Sequence, residues 1–462
     1  MSAAAVHEAF MVVGLDGVPY WLLQQLADDG VMPAIRELLP QGTLRPLRAP
    51  VPEISSTSWA SFMTGADPGR HGIYGFIDLE EGTYDTYFPN LRHLQATPVW
   101  EQTAAAGARS LVLNVPGSYP AVPVHGVLVS GFVAPDFDRA VQPADLAPVL
   151  RNLGYELDVE VGDVAADPDS FLDRAEAALA ARRAAFRHLL ADEDWRLAIC
   201  VLTETDRVHH FLWDSLMDPT ARLHQRILGF YRKVDQTVAE LAEYAGDGGL
   251  ILVSDHGFGS ASTQFVLNAW LRRAGYLHLP ADAGSLREIT ESTIAFALDP
   301  GRIYLNRRWR FPRGRDIAAE TADEIACRLL ALRIAPDGTI GEGGPGRPLV
   351  AEVLRGPEIY SGPYSDLAPD LVAMPAPDVQ IRGTWATDEL VLSAPFTGTH
   401  TKDDATFWCR GDRGTGSVEM RDVAPTVLAG LGIPFAASMQ GRDVRGRHTA
   451  APAVTLRERT SP

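Results

Sequence analysis

The sequence predicts an α/β fold, a mostly parallel central sheet flanked by helices. Three observations carry this expectation. Strand-length apolar runs at Phe10–Leu15, Arg196–Leu202 and Gly249–Ser254 read as strands buried on both faces. Helical patterns lie between such runs, which implies crossover connections and parallel neighbours. Each of the three runs leads into an aspartate, Asp16, Asp206 or Asp255, and ligands of open α/β sheets collect at strand carboxyl ends.

The chain has 462 residues, 46% of them hydrophobic, enough for one large α/β domain with insertions or for two or three domains. A formal net charge of −18 and the lack of a basic stripe argue against a nucleic-acid groove, while clustered acids can hold cations. The segment Met1–Glu8 lacks a basic stretch followed by an apolar one, so no secretory signal is expected, and no apolar run is long enough to span a membrane. Cys200, Cys327 and Cys409 are far apart without CxxC spacing, which suits buried reduced thiols. A soluble cytoplasmic protein with no membrane or nucleic acid polymer as partner is expected.

In chain order, the first strand ends at Asp16, either a turn residue with Gly17 or a carboxylate poised for chemistry. A helix from Pro19 to about Asp29 and a shorter one over Met32–Leu39 follow, then extended chain from Thr43 to Val51. The hydroxyls of Ser55, Ser56, Thr57 and Ser58 precede a helical run up to Thr64-Gly65. They read as a helix cap, as an anion site at a helix N-terminus, or as both. A helix over Pro98–Ala106 leads to strands at Ser110–Val115 and Val127–Ser130. Residues 134–169 break the rhythm and are expected to form a cap segment. An Ala-rich helix over Ser170–Leu190 carries Arg182 and Arg183, expected on a solvated face. The strand ending at Leu202 delivers Asp206, His209 and His210; a helix over Ala221–Tyr244 then leads to the strand before Asp255-His256-Gly257. Residues 267–347 form an expected inserted lobe, with a strand at Arg302–Asn306 and a helix at Ile317–Leu332. The chain returns through Pro369–Met374 and Thr397–His400 to a last helix at Asp422–Leu431, and residues 446–462 are expected to be a flexible tail.

The candidate ligands are therefore Asp16, Asp206, His210, Asp255, His256 and His400, with Ser55 as the hydroxyl. Carboxylate oxygen and imidazole nitrogen suit zinc and related ions, and seven groups suffice for two of them. Singly, each has an ordinary structural reading as a turn Asp, a buried His or a capping Ser.

These residues sit in blocks that resemble the alkaline phosphatase superfamily, specifically its type I phosphodiesterase/nucleotide pyrophosphatase branch. The blocks are Gly14-Leu15-Asp16-Gly17, Ser55 to Ile73 with Thr64-Gly65, Pro68 and His71-Gly72-Ile73, Asp206 with His210, Ser254-Asp255-His256-Gly257, Gly398-Thr399-His400, and Asp422–Thr426 followed by Gly441. They occur in family order across residues 10–445. The resemblance implies a single alkaline-phosphatase-like catalytic domain over 8–445. It implies two divalent metal ions, zinc first with manganese or iron as alternatives: one held by Asp206, His210 and His400, the other by Asp16, Asp255 and His256. The family nucleophile falls on Ser55, with Ser56, Thr57 and Ser58 as neighbouring alternatives. His209 is expected behind the ligands or at the surface, and His71 in a structural role.

The implied reaction is hydrolysis of a small-molecule phosphate ester, a phosphodiester or pyrophosphate-type bond, through a phosphorylated Ser55. A metal-activated serine and a metal-stabilised in-line displacement would support it. One position departs from the pattern: where the nucleotide pyrophosphatases carry an Asn that donates to a phosphoryl oxygen, this chain has Phe76, which cannot donate. Backbone N–H near Ser56 and the Arg207 guanidinium are the candidate replacements. A phosphomonoesterase of the same superfamily and a non-catalytic metal or phosphate-ligand binding protein are the alternative functions.

Overall fold

The computed structural model describes residues 9–192, 194–280, 283–393 and 396–445. The chain divides into two compact units. One holds the described residues up to Asp67, then Asn90–Phe258 and those from His400 onward; the other holds Pro68–Pro89 and Gly259–Thr399. The tail expected over 446–462 lies outside the described residues.

The first unit is built on a nine-stranded sheet. Its strands in chain order are β1 (Phe10–Leu15), β2 (Gly42–Arg48), β3 (Ser110–Val115), β4 (Gly126–Ser130), β5 (Val141–Gln142), β6 (Leu197–Leu202), β7 (Gly249–Val253), β8 (Ala405–Arg410) and β9 (Val418–Glu419). Across the sheet the order is β9-β2-β8-β7-β1-β6-β3-β4-β5. The run β7-β1-β6-β3-β4 is parallel throughout, and β8 and β5 flank it antiparallel. Phe10 is level with both Leu197 and Gly249, and Gly14 with both Val201 and Val253. This register places the ends of β1, β6 and β7 side by side, so the residues that follow them share one edge.

Alternation along the strands assigns two apolar faces. Met11, Val13 and Leu15 join one core with apolar residues of the helices Tyr20–Asp28, Pro168–Asp192, Glu204–Met217 and His224–Ala245. Gly14 points the other way, where an added Cβ would lie 2.7 Å from the Trp59 ring and 2.9 Å from Val201. Only glycine lets the helix Ser55–Thr64 approach the strand this closely.

Residues 134–169 contribute β5 and the helix Leu146–Asn152 to this unit. The helix Glu204–Met217 has no counterpart in the sequence reading, because its first turns bury Glu204, Thr205, Asp206 and His209 and so carry no clean apolar period. Arg182 and Arg183 do not share a solvated face. Arg182 is buried, donating from Nε to Glu204 Oε1 at 2.6 Å and from Nη1 to the Tyr155 hydroxyl at 2.7 Å, while Arg183 binds Glu240 nearer the surface. Adjacent positions on a helix point about 100° apart, which is enough to send one guanidinium inward.

In the second unit, four antiparallel strands run in the order Ala295–Leu298, Arg302–Leu305, Leu371–Pro375, Val350–Arg355. The helix Thr321–Ala331 adds Ile325 and Leu329 to its core. Phe76 and His71 belong to this unit; His71 is buried and its Nδ1 accepts from the Ile73 N–H at 3.2 Å. No helix among the described residues is long and apolar enough to cross a membrane.

Candidate active site

The edge formed by the ends of β1, β6 and β7 gathers all seven candidate side chains. Asp16 follows β1, Asp255 and His256 follow β7, and Asp206 and His210 lie one turn apart on the helix after β6. Ser55 opens its own helix, and His400 lies shortly before β8.

Two clusters share this edge. In one, Asp206 Oδ1 lies 3.4 Å from His210 Nε2 and 3.4 Å from His400 Nε2, and the two imidazole nitrogens are 3.0 Å apart. An atom equidistant from these corners would be about 1.9 Å from each, close to the zinc–ligand lengths of about 2.0–2.2 Å. In the other, Asp16 Oδ1 and Asp255 Oδ2 lie 3.7 Å and 3.3 Å from His256 Nε2. His256 Nε2 is also 3.9 Å from Asp206 Oδ1, so the clusters adjoin. Asp16, Asp255 and His256, and likewise Asp206, His256 and His400, are grouped closely enough to hold a cation.

The donor set fits metal ions on two further counts. His256 Nδ1 bonds the Gly257 carbonyl at 3.0 Å and His400 Nδ1 bonds the Glu53 carbonyl at 3.0 Å. A carbonyl only accepts, so Nδ1 carries a proton, and each ring, when neutral, turns its Nε2 lone pair into the site, as a metal-ligating imidazole requires. At His400 burial opposes a second proton, but Asp206 and Asp255 outweigh it and raise the pKa. In addition, Asp16 Oδ1, Asp206 Oδ1 and Asp255 Oδ2 are buried without a hydrogen bond. Orphaned buried carboxylate oxygens are costly unless a cation meets them.

Charge at the site follows from that crowding. Burial, then the Asp255 and Asp206 charges, hold the Asp16 carboxyl well above its usual range. Burial and the Asp206 charge push Asp255 up to about 6. Burial also acts to raise Asp206, but His210, His400 and Arg207 outweigh it and keep that carboxyl well below the usual range. Burial depresses His210 and His256 to about 3, which leaves both neutral, the form that binds metal.

Ser55 is the first residue of its helix, and the N-cap position is Ile54, which offers no side-chain cap. None of the four hydroxyls caps the helix. The Ser55 Oγ instead faces His256 Nε2 at 3.2 Å, whereas the hydroxyls of Ser56, Thr57 and Ser58 are buried without hydrogen bonds.

Several supporting residues were not singled out by sequence. Trp59 Nε1 donates to Asp16 Oδ2 at 3.1 Å, and Thr205 Oγ1 donates to the Asp16 carbonyl at 2.6 Å. The Gly17 N–H donates to Asp255 Oδ1 at 3.1 Å. His209, which the sequence analysis expects behind the ligands or at the surface, is buried with both ring nitrogens engaged, Nδ1 by the Gly17 carbonyl at 2.9 Å and Nε2 by the Tyr231 hydroxyl, so it braces the turn after Asp16. Trp59 had one readable signal: it stands four residues after Ser55, on the same helix face.

A family model for type I phosphodiesterase/nucleotide pyrophosphatase matches residues 10–414. Among solved structures, phosphonoacetate hydrolase from Sinorhizobium meliloti 1021 in complex with phosphonoacetate superposes with a TM-score of 0.62 at 18% identity, covering 92% of this chain and 96% of that one. Murine ectonucleotide pyrophosphatase/phosphodiesterase 5 superposes with a TM-score of 0.53 at 16% identity, covering 97% of this chain and 98% of that one; an inactive form of it has been solved in complex with AMP. Among curated proteins, nothing matches this chain. The structural likenesses establish an alkaline-phosphatase-like α/β fold.

Proposed function

This chain belongs to the type I phosphodiesterase/nucleotide pyrophosphatase family and is a phosphoric ester hydrolase, and from that premise we propose that it cleaves phosphodiesters or pyrophosphate-type bonds of small molecules through Ser55 at a two-metal site. The observation that carries this reading is the placement of Ser55 Oγ at 3.2 Å from His256 Nε2, beside two adjoining clusters of buried and half-buried carboxylate and imidazole donors. Asp206, His210 and His400 would hold one divalent ion; Asp16, Asp255 and His256 would hold the other. Zinc suits this donor set best, and manganese or iron would accept it. Bound cations would supply positive charge that favours the ionised serine and stabilises the oxygens of an in-line displacement.

The chain's own groups have distinct tasks in this scheme. Ser55 Oγ, giving up its proton, attacks phosphorus, and one ester oxygen leaves and is protonated. From a diester the serine then carries a phosphoryl group still bearing the second ester, and water displaces it to restore Ser55 and release the monoester. The N–H groups of Ser55 and Ser56, ahead of those of Thr57 and Ser58 that donate to the Ile54 carbonyl, would face the phosphoryl group, and the dipole of the ten-residue helix Ser55–Thr64 favours its negative charge. Trp59 and the Gly17 N–H hold Asp16 and Asp255 so that each keeps one oxygen for a cation. The three cysteines are unpaired, which supports our placing the enzyme in a reducing, cytoplasmic compartment.

The test is metal analysis of the purified protein together with hydrolysis of simple aryl phosphodiesters and monoesters, with Ser55→Ala as control. Stoichiometric metal and Ser55-dependent diester cleavage are expected. Faster monoester turnover would favour a phosphomonoesterase, and bound metal without any turnover would favour a binding protein.

A further inference from the structure

Resting on the two-metal reading, we propose that Arg207 is a substrate-binding residue that donates to a non-bridging phosphoryl oxygen and biases the site toward the more highly charged phosphoryl groups. Phe76 cannot make such a bond, and Arg207 has the geometry for it. Arg207 directly follows the ligand candidate Asp206. Its Nε and Nη2 donate to the two carboxylate oxygens of Asp158 at 2.9 and 2.7 Å, and its guanidinium carbon lies 4.3 Å from the centroid of the Phe132 ring. These contacts fix the plane of the fork and occupy two of its three nitrogens.

The third nitrogen is directed at the metal cluster. Nη1 is ion-paired with Asp206 Oδ2 at 3.6 Å, beyond hydrogen-bonding distance, so its two N–H groups make no hydrogen bond among the described residues. The side chain keeps 17% of its surface exposed, so an anion arriving at the cluster can reach it. An arginine serving only to tie Asp158 to the helix after β6 would need none of this. A pre-oriented guanidinium with a free donor pair beside a cation site is instead suited to a phosphoryl oxygen. Its attraction for a monoester dianion is about twice that for a diester monoanion at equal distance, since Coulomb energy scales with charge.

The test uses the full-length Ser55→Ala protein loaded with zinc and titrated with inorganic phosphate, alone and with Arg207→Gln or Arg207→Lys added. Arg207→Gln should weaken phosphate binding roughly ten- to a hundredfold, the scale of one charged hydrogen bond lost, with zinc stoichiometry unchanged. Arg207→Lys should recover part of the loss, because it keeps the charge without the fork. With Ser55 present, Arg207→Gln should lower kcat/KM for an aryl monoester more than for an aryl diester. Phosphate binding within about twofold of the parent would overturn the proposal, and so would a loss that tracks a loss of zinc. A parent protein that takes up no zinc would instead refute the two-metal reading, and this inference with it.

Discussion

Ser55 Oγ lies 3.2 Å from His256 Nε2, and the other nitrogen of that ring is committed to the Gly257 carbonyl. The imidazole therefore presents a lone pair to the same small volume that the serine hydroxyl faces. A residue shared between the proposed nucleophile and the candidate cation cluster separates two classes of substitution.

Ser55→Ala should reduce hydrolysis of an aryl phosphodiester roughly ten-thousandfold or more, the scale seen when a nucleophile acting in a concerted unit is removed. Its metal content should match the parent. Asp16→Asn and Asp255→Asn should lose both metal and activity, which elemental analysis of the purified variants would check.

Chelation should lower thermal stability. Three carboxylates converge at the site with one buried oxygen each left unbonded, and a cation that binds only the folded chain stabilises it by about 2.7 kcal/mol at a hundred times its Kd. Thermal melts should show Tm falling with chelator and rising again with added zinc in a concentration-dependent way.

Trp59→Phe keeps an aromatic ring on this helix face, though shorter than the indole that reaches Gly14, and removes the donor to Asp16 Oδ2. Removing an outer partner of a metal ligand typically costs about ten- to a hundredfold in metal affinity. Competition with a chromophoric chelator should register that loss, while kcat at saturating metal should change much less.

His71, in the second unit, provides a pH signature. Burial depresses its pKa to about 3, well below the unfolded value near 6.5. The unfolded chain thus binds the extra proton first, and stability falls as pH drops below about 6.5, by about 2 kcal/mol at pH 5 from this residue alone. His71→Asn, whose side-chain oxygen can still accept from the Ile73 N–H, should flatten the change in Tm between pH 7 and pH 5.

The parts of this fold that can be read from sequence are those with a local signal. β1, β6 and β7 are unbroken apolar runs, and the aspartates that follow them mark the edge where a parallel sheet collects ligands. The helix Glu204–Met217 was hidden because its first turns serve the site and bury polar residues in place of an apolar stripe. Arg182 was misread for a related reason: Glu204, its partner, is 22 residues away and joins it only in the folded chain. The clasp of Arg207 by Asp158, 49 residues apart, and the donation of Trp59 to Asp16, 43 apart, are likewise products of tertiary packing. Patterning located the candidate ligands but carried little information about what holds them.

The central claim is that Ser55 becomes phosphorylated during turnover. Rapid acid quench of the metal-loaded enzyme with excess aryl phosphodiester, followed by mass spectrometry of its peptides, tests this directly. A phosphoryl group still bearing the substrate's second ester, on the peptide carrying Ser55 and absent from Ser55→Ala and from chelated enzyme, is the predicted result. Full turnover by Ser55→Ala, or an adduct at any residue other than Ser55, the neighbouring Ser56, Thr57 and Ser58 included, would contradict it.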